Sequence, residues 1–524
     1  MRQTKVVFGT VSIAASVGLL LSACSNSSTS TPSALPSTAA KVEAPIEITI
    51  AGFWPPDKDD SFVQKLLEQK FNVKFKNVRL DRSTQSDQMN IKLAAGEIPD
   101  MFSSDASNAD MINWSKQGII ASISVDEIKK YMPKYAADIE KLDANIWQYG
   151  MYNGKNWGVP KVFLEGVTGF LPAYNSAWLK KIGYNEPPKT LAELEDVLLK
   201  FTNNDPDGNG KKDTYGMSAR GKDSPSQVFN SVFAAFGTNA DTFIKQADGT
   251  LAHGFTTEES RQALKLLNKW YKEGIIDPEF GTADGNKVRD NFVNAKTGYV
   301  DTALWYHLHE TGSYGVPAKQ KGVSIAIGEP LIGPKGTKLA LSNGVVQTPN
   351  LFGIQVEKDE KKRIKILQML EYMAEDEEGY LATSYGEKGV DYDLQGNTAI
   401  PKGDNGDVQK RAAKSGAGAF FTPFTAKVPS MIKFDRPQDQ LDFKAKYTGG
   451  MKTITNPIPG ASLDSEPKVA PTLKTLRDSY AVKAILGEVD TDKAFDDFVA
   501  AWKKAGGQEL TDEVNKVYKE RNKK

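Results

Sequence analysis

Between Ile46 and Phe102 the apolar residues switch back and forth between two periods, and this alternation constrains the fold more than any other feature of the chain. Ile46, Ile48 and Ile50 alternate with Glu47 and Thr49, which is the pattern of a strand. Phe62, Val63, Leu66 and Leu67 then recur at helical spacing up to Lys70, and Val73 to Val78 alternates again. A helix around Met89 to Ala95 stops at Gly96 and Pro99, ahead of a short apolar run at Met101 and Phe102. Such an order predicts right-handed crossovers on a mostly parallel sheet. After Trp157 to Val162 the chain is expected to pass to a second α/β lobe. That lobe would hold Gly169 to Trp178, a helix with Leu191, Leu194, Val197, Leu198 and Phe201 on one face, a helix from Thr256 to Lys272, and a strand from Thr297 to Trp305. Thr190 with Glu193, and Thr256 with Glu259, read as capping boxes for the two helices.

A second crossing near Ile325 to Leu331 is expected to return the chain to the first lobe, where Leu351 to Val356 reads as a strand and Glu360 to Met373 as a helix. Gly- and Pro-rich loops follow, then amphipathic helices over Thr472 to Leu486, Thr491 to Lys504 and Thr511 to Arg521. The expected division is 45–163 with 326–393 for the first lobe and 164–325 with 394–524 for the second.

Charge narrows the partners. Lys plus Arg equals Asp plus Glu at 66 each, and no basic stripe is interleaved with aromatics, so nucleic acid is not an expected partner. The single cysteine, Cys24, precedes the folded body, which excludes disulfides and thiolate metal sites there. Arg2 and Lys5, the apolar stretch from Val6 to Leu20, and Leu21-Ser22-Ala23-Cys24 resemble a bacterial lipoprotein signal over residues 1–23. That resemblance implies cleavage before Cys24, attachment of a diacylglycerol to its thiol, and anchoring outside the bacterial cell membrane. Residues 24–44, mostly Ser, Thr, Pro and Ala, read as a tether.

The stretch from Asn203 to Gly216 carries the most specific chemistry. Asp205, Asp207 and Asn209 alternate, Gly210 supplies a turn, the Lys211 carbonyl can face inward and Asp213 can close the ring. Gly216 stands where an EF-hand has its bidentate Glu, so the loop offers about five of the roughly 6 to 8 oxygens that calcium takes. A structural calcium site and a solvated turn, which Asn, Asp and Gly also favour, both fit this pattern.

Several stretches are similar to the family 1 extracellular solute-binding proteins, in their long, LplA-like lipoprotein branch. They are Lys92 to Met101 (KLAAGEIPDM), Trp157-Gly158-Val159-Pro160, Tyr174-Asn175 with Trp178-Leu179, Pro188-Lys189-Thr190, Asn294 to Gly298 ahead of Trp305, Tyr385 to Tyr392, and Trp502 to Gly507. The resemblance implies an α/β, two-lobed periplasmic-binding-protein-like fold with hinge crossovers and a ligand cleft between the lobes. It further implies a monomer that captures an oligosaccharide and delivers it to ABC permease membrane subunits. Long members can carry a calcium loop like Asp205 to Asp213.

A site for sugar needs flat aromatic faces and polar edges. By correspondence with shorter maltose-binding relatives, Ser104 and Asp105, Glu165, and Trp305 turn toward the cleft. Tyr306 is added as the neighbour of Trp305, and Trp54 because it follows the first strand, where parallel sheets place ligands. A peptide-binding receptor is the alternative within the binding class. A surface polysaccharide-degrading enzyme is the rival outside it, but no motif singles out a carboxylate pair. His253, His307 and His309 lack a third ligand at metal spacing, and the last two read as surface or cleft histidines.

Overall fold

Strand β1 (Ile46–Phe53) buries Ile48, Ile50 and Ala51 and is the centre of a three-stranded parallel sheet. The crossover helix α1 (Phe62–Phe71) turns Val63 and Leu67 inward and leads to β2 (Val73–Leu80), which pairs with β1 from Ile46 opposite Val73 to Phe53 opposite Leu80. Helix α2 (Gln85–Ala94) returns the chain to β3 (Met101–Ser103) on the other side of β1, with Gly52 opposite Ser103. Helix α3 (Asn108–Lys116) follows, capped by a Ser107/Asp110 box. Asp100, of the Pro-Asp motif, is buried at the sheet and accepts from the Thr49 N–H at 2.8 Å and from Lys362 Nζ at 3.0 Å.

The computed structural model describes residues 43–522 except 83, 104–105, 168, 223–228, 308–311, 347–348 and 423–427, and excepting the side chains of Ser103, Glu165 and Trp305. Pro45 to Lys524 forms one compact unit.

A second sheet begins at β4 (Phe170–Asn175), where the Asn175 carboxamide oxygen caps α4 (Ser176–Lys181) by accepting from the N–H groups of Ala177 and Trp178. Helix α5 (Leu191–Asn203) has the expected box: Glu193 N–H donates to Thr190 Oγ1 at 3.1 Å, and Thr190 N–H to Glu193 Oε2 at 3.0 Å. Strand β5 (Tyr215–Met217), helices α6 (Asn230–Phe236) and α7 (Glu258–Lys272), and strands β6 (Thr297–Ala303) and β7 (Ile325–Ile327) complete the layer, in the order β7-β4-β6-β5. β4 is antiparallel to both β7 and β6, while β6 and β5 are parallel. At Gly298 a Cβ would lie 2.3 Å from the Phe201 ring and 2.6 Å from Trp178, so the glycine of that motif lets β6 pack tightly against α4 and α5.

Several boundaries differ from expectation. Strand β6 ends at Ala303, and Trp305 lies in a 3-10 turn, Leu304–His307. Leu351 to Val356 is not a strand: Phe352 and Gly353 make only isolated bridges, to Met101 and Ile120, and a helix (Ile354–Lys358) follows at once. The Thr256/Glu259 box does not form. Thr256 ends a 3-10 turn with its hydroxyl donating to the His253 carbonyl, and Thr257 is the N-cap residue of α7.

The crossings also move. Because β7 pairs with β4, and β8 (Ala340–Leu341) packs beside Leu171 and Leu304, residues 326–341 belong to the second sheet and not the first lobe. The return occurs over 342–353, antiparallel to 158–166: Val162 bridges Val346, Val159 bridges Asn350, and Phe163 N–H donates to the Val345 carbonyl. The strands approach so closely that a Cβ on Gly158 would lie 2.6 Å from the Asn350 oxygen. Helix α8 (Glu360–Glu375) then joins the first core through Ile366, Leu367, Leu370 and Met373.

Residues 394–524 do not all belong to the second lobe. Ala399, Phe420, Phe421 and Phe434 sit in the first core, and the chain recrosses before β9 (Thr453–Ile454), which pairs with β8. Helices α9 (Glu466–Leu486), α10 (Thr491–Trp502) and α11 (Gln508–Arg521) pack on the second core through Leu473, Ile485, Phe495, Trp502 and Val514.

Candidate functional site

Register decides which of the singled-out positions share an edge. In the first sheet Gly52 is opposite Ser103, so β1 and β3 end at the same carboxyl edge, where Trp54 follows β1. The return segment bridges Met101 of β3 at Phe352, and the outgoing segment at Asn350 and Val346. The outgoing segment leads directly into the 3-10 turn Leu164–Val167, which contains Glu165. In the second sheet Ala303 is opposite Phe170, so the turn before β4 and the turn after β6, with Trp305 and Tyr306, share an edge. Trp54 therefore stands at one sheet edge, and Glu165, Trp305 and Tyr306 at another, with the crossing segments between them.

Their side chains differ in how much can be said. Trp54 is half-buried, with its ring edge-on to Phe53 at 5.2 Å and the Arg82 guanidinium 4.9 Å from its centroid. Its φ of 50° is in the left-handed region, a conformation that costs a bulky residue on the order of 1–3 kcal/mol and that concentrates at binding sites. Tyr306 is 36% exposed, and its ring lies 6.1 Å from that of Tyr314. Ser104 and Asp105 lie outside the described residues. Glu165 and Trp305 are placed by their backbone alone. Val167 was not singled out from sequence, yet this large apolar residue stands 46% exposed in the turn that holds Glu165. Its signal was an apolar residue beside Gly166, in a stretch with neither helical nor strand period.

The histidine assignment needs correction. His307 is buried, with Nε2 3.4 Å from the Leu171 carbonyl, and burial pulls its pKa down to about 4. Leu171 belongs to the apolar cluster at the base of the turn, so that ring faces the fold's interior and not solvent or ligand. His309 lies outside the described residues.

A cavity of about 770 Å³ lies between the start of α3, the crossing strand at Pro349, and the helices α9 and α10. None of the six singled-out positions lines it. Beside it the segment after β9 is tied to the first lobe. Asn108 Nδ2 donates to the Ala461 carbonyl at 2.8 Å, Ser462 Oγ to the Met151 carbonyl at 2.6 Å, and Asp464 accepts from Lys116 Nζ at 2.6 Å and Tyr152 OH at 2.5 Å. The hydrogen bond from Lys116 holds the Asp464 carboxyl below the usual range.

The acidic loop is tightly wound. Asp205, itself at a φ of 45°, accepts from the N–H groups of Gly208, Asn209 and Gly210, and the Gly210 bond is the main cause of its lowered pKa. Asn209 Nδ2 donates to Asp207 at 2.8 Å and to Asp213 at 3.1 Å. Burial, with Asp205 and Asp213 close by, pushes the Asp207 carboxyl up. Among the described residues no three His, Cys, Asp or Glu side chains converge to hold a metal ion. A half-turn of the Asn209 amide would exchange its nitrogen for oxygen between Asp207 and Asp213, leaving a set of hard oxygens of the kind calcium takes.

Among the described residues no helix is long and apolar enough to cross a membrane. The sequence profile of the bacterial extracellular solute-binding protein family matches residues 62–385, well over half of the chain. Lipoprotein LipO of Bacillus subtilis (strain 168) is 28% identical over 518 residues, covering 95% of this chain and 96% of the relative. The polygalacturonan/rhamnogalacturonan-binding protein YtcQ of the same organism is 22% identical over 474 residues, 89% of each chain. Among solved structures, Streptococcus pneumoniae FusA, an ABC-transporter substrate binding protein in complex with kestose, superimposes with a TM-score of 0.69 at 20% identity, over 91% of this chain and 99% of that one. FusA has also been solved as an EF-hand mutant with fructo-nystose, which superimposes with a TM-score of 0.67 at 20% identity over the same shares.

Proposed function

Because the chain belongs to the bacterial extracellular solute-binding protein family, the non-catalytic substrate-binding components of ABC transporters, we propose that it captures an oligosaccharide outside the membrane and passes it unchanged to the permease subunits. Family membership replaces the reading as a polysaccharide-degrading enzyme. The observation that carries the sugar reading is the strand register. It supports a cleft with Trp54 at one sheet edge and Glu165, Trp305 and Tyr306 at another, Ser104 and Asp105 following β3 in the sequence. Aromatic faces and polar groups on two edges suit a ring with an apolar face and a hydroxyl rim. The kestose complex of FusA and the name of YtcQ support the same ligand class.

Closure would bring a first lobe of residues 45–163 and 345–434 against a second of 164–341 and 453–524, in a monomer held to the membrane by lipid on Cys24. The lipoprotein name of LipO supports that anchor. Calcium in the Asp205, Asp207, Asn209, Lys211 and Asp213 loop would staple the end of α5 to β5. The hard-oxygen donor set supports this, as does an EF-hand in FusA. Calorimetric titration of oligosaccharides into the wild type and into Trp54→Ala and Trp305→Ala tests the site. Each substitution is expected to weaken binding by about 1–3 kcal/mol, roughly five- to 150-fold, with the fold retained. Unchanged affinity with a lowered melting temperature would make these residues core and not ligand contacts.

A further inference from the structure

The cavity between α3 and the C-terminal helices is unexplained by the six cleft positions. It begins at Ser107 and Asn108, two residues beyond Asp105, and reaches Pro349 on the return strand, so it adjoins the first-sheet edge where the cleft begins. We propose that it is the end compartment of the binding cleft and takes one or two uncharged sugar residues of an oligosaccharide. This rests on the oligosaccharide reading above.

Size and lining favour such an occupant. Volumes of about 300–1,000 Å³, with mostly apolar and aromatic walls and a few polar groups, are typical of small-molecule sites. Pro467, Ala470, Pro471 and Lys474 lie at helical spacing and give α9 one cavity-facing stripe, while Tyr149, Phe243 and Trp502 supply ring surface.

Electrostatics select for a neutral ligand. Both lining cations hold carboxylates already: Arg477 pairs with Asp241 at 2.8 Å and Asp478 at 2.9 Å, and Lys474 pairs with Asp478. Glu466 lines the cavity too, and burial together with repulsion from Glu513 raises its pKa, so an added carboxylate would meet an acid and no free cation among the described lining. A hydroxyl has a buried acceptor available. His253, between Phe243 at 5.3 Å and Trp502 at 5.1 Å, stays neutral because burial lowers its pKa to about 3, and its Nδ1 is buried without a hydrogen-bond partner. A sugar hydroxyl can donate to that nitrogen, and a ring face can lie on the aromatic wall.

Filling the space tests the idea without removing a contact. The probes are fructo-, malto-, manno- and xylo-oligosaccharides of two to six residues, with oligogalacturonates of equal length, titrated into the wild type, Ala470→Phe and Ala109→Phe. The two variants obstruct the cavity from opposite walls, and each is checked by its melting curve. For one neutral series the wild type should gain at least tenfold in affinity with added residues. Both variants should lose that gain while binding the shortest member as the wild type does. The proposal is overturned if both folded variants keep the wild-type length dependence, or if oligogalacturonates bind as tightly as every neutral series. In either case the cleft reading survives. Failure of the wild type to bind any oligosaccharide defeats both.

Discussion

Asp301 sits in the middle of β6 opposite Pro172 and is fully buried. Its Oδ2 accepts from the Ser231 N–H at the start of α6, and its Oδ1 has no partner among the described residues. Burial raises its pKa from an ordinary 3.8 to about 7. Between those values the folded protein holds a proton that the unfolded chain has released, so stability falls as pH rises through this window and is lowest above it. At about 1.4 kcal/mol per pH unit, the full penalty above pH 7 is on the order of 4 kcal/mol, of which about 2.7 accrues between pH 5 and 7. Asp301→Asn keeps an acceptor for Ser231 and removes the ionisation. Its amide can keep a hydrogen bond to the neighbouring Tyr299 hydroxyl, and such a bond left unmade costs about 1–3 kcal/mol. The variant should therefore be neutral or slightly destabilised at pH 5 and gain about 2.7 kcal/mol relative to the wild type by pH 8. With unfolding entropy of roughly 2 cal/mol/K per residue, that is a relative rise of about 3 °C in melting temperature. Glu375, raised to about 7 by burial, and His253 and His307, lowered by burial, titrate in both proteins and cancel in the difference. A difference between the two melting curves that stays constant from pH 5 to 8 would refute the reasoning.

Cys24→Ser should abolish lipid labelling and membrane retention while leaving the melting curve of the body unchanged, as read by fractionation and by calorimetry of the released protein. Calcium should raise thermal stability by roughly 2.7 kcal/mol at a hundredfold excess over its dissociation constant. Chelation should reverse this, magnesium should replace calcium poorly, and Asp207→Ala should remove the response; a melting curve indifferent to chelator would leave the loop a polar turn. Thr190→Ala should cost about 1 kcal/mol in denaturant titration, because it removes a formed capping box at α5.

Much of the fold was legible where local chemistry and tertiary packing agree. The isoleucines of β1, the helical spacing of Phe62 to Leu67 and the Thr190 box each serve one element, and each formed. Legibility failed where a choice is made across the molecule. Thr256 and Thr257 are equivalent as caps in sequence, and a hydroxyl bond from Thr256 to His253 moved the helix start by one residue. Leu351 to Phe352 has strand composition, but its neighbours across the sheet offer only single bridges. The crossings were displaced because β7 finds its partner in β4, a pairing that no local pattern reveals. Among the candidate positions, the place of Trp54 at the carboxyl end of β1 was legible from the strand pattern before it. Val167 and the cavity under α3 were not, because exposure of an apolar residue and the gap between distant helices are properties of the assembled chain.

Capture without chemistry is the central claim, and affinity recovery measures it directly. Purified protein is incubated with a defined mixture of neutral oligosaccharides and oligogalacturonates, separated from free sugar by gel filtration and denatured, and the released ligand is identified by mass spectrometry. The account expects close to one intact oligosaccharide per protein chain, with the unbound mixture unchanged in composition. Recovery of no sugar, or of shortened products, would contradict it.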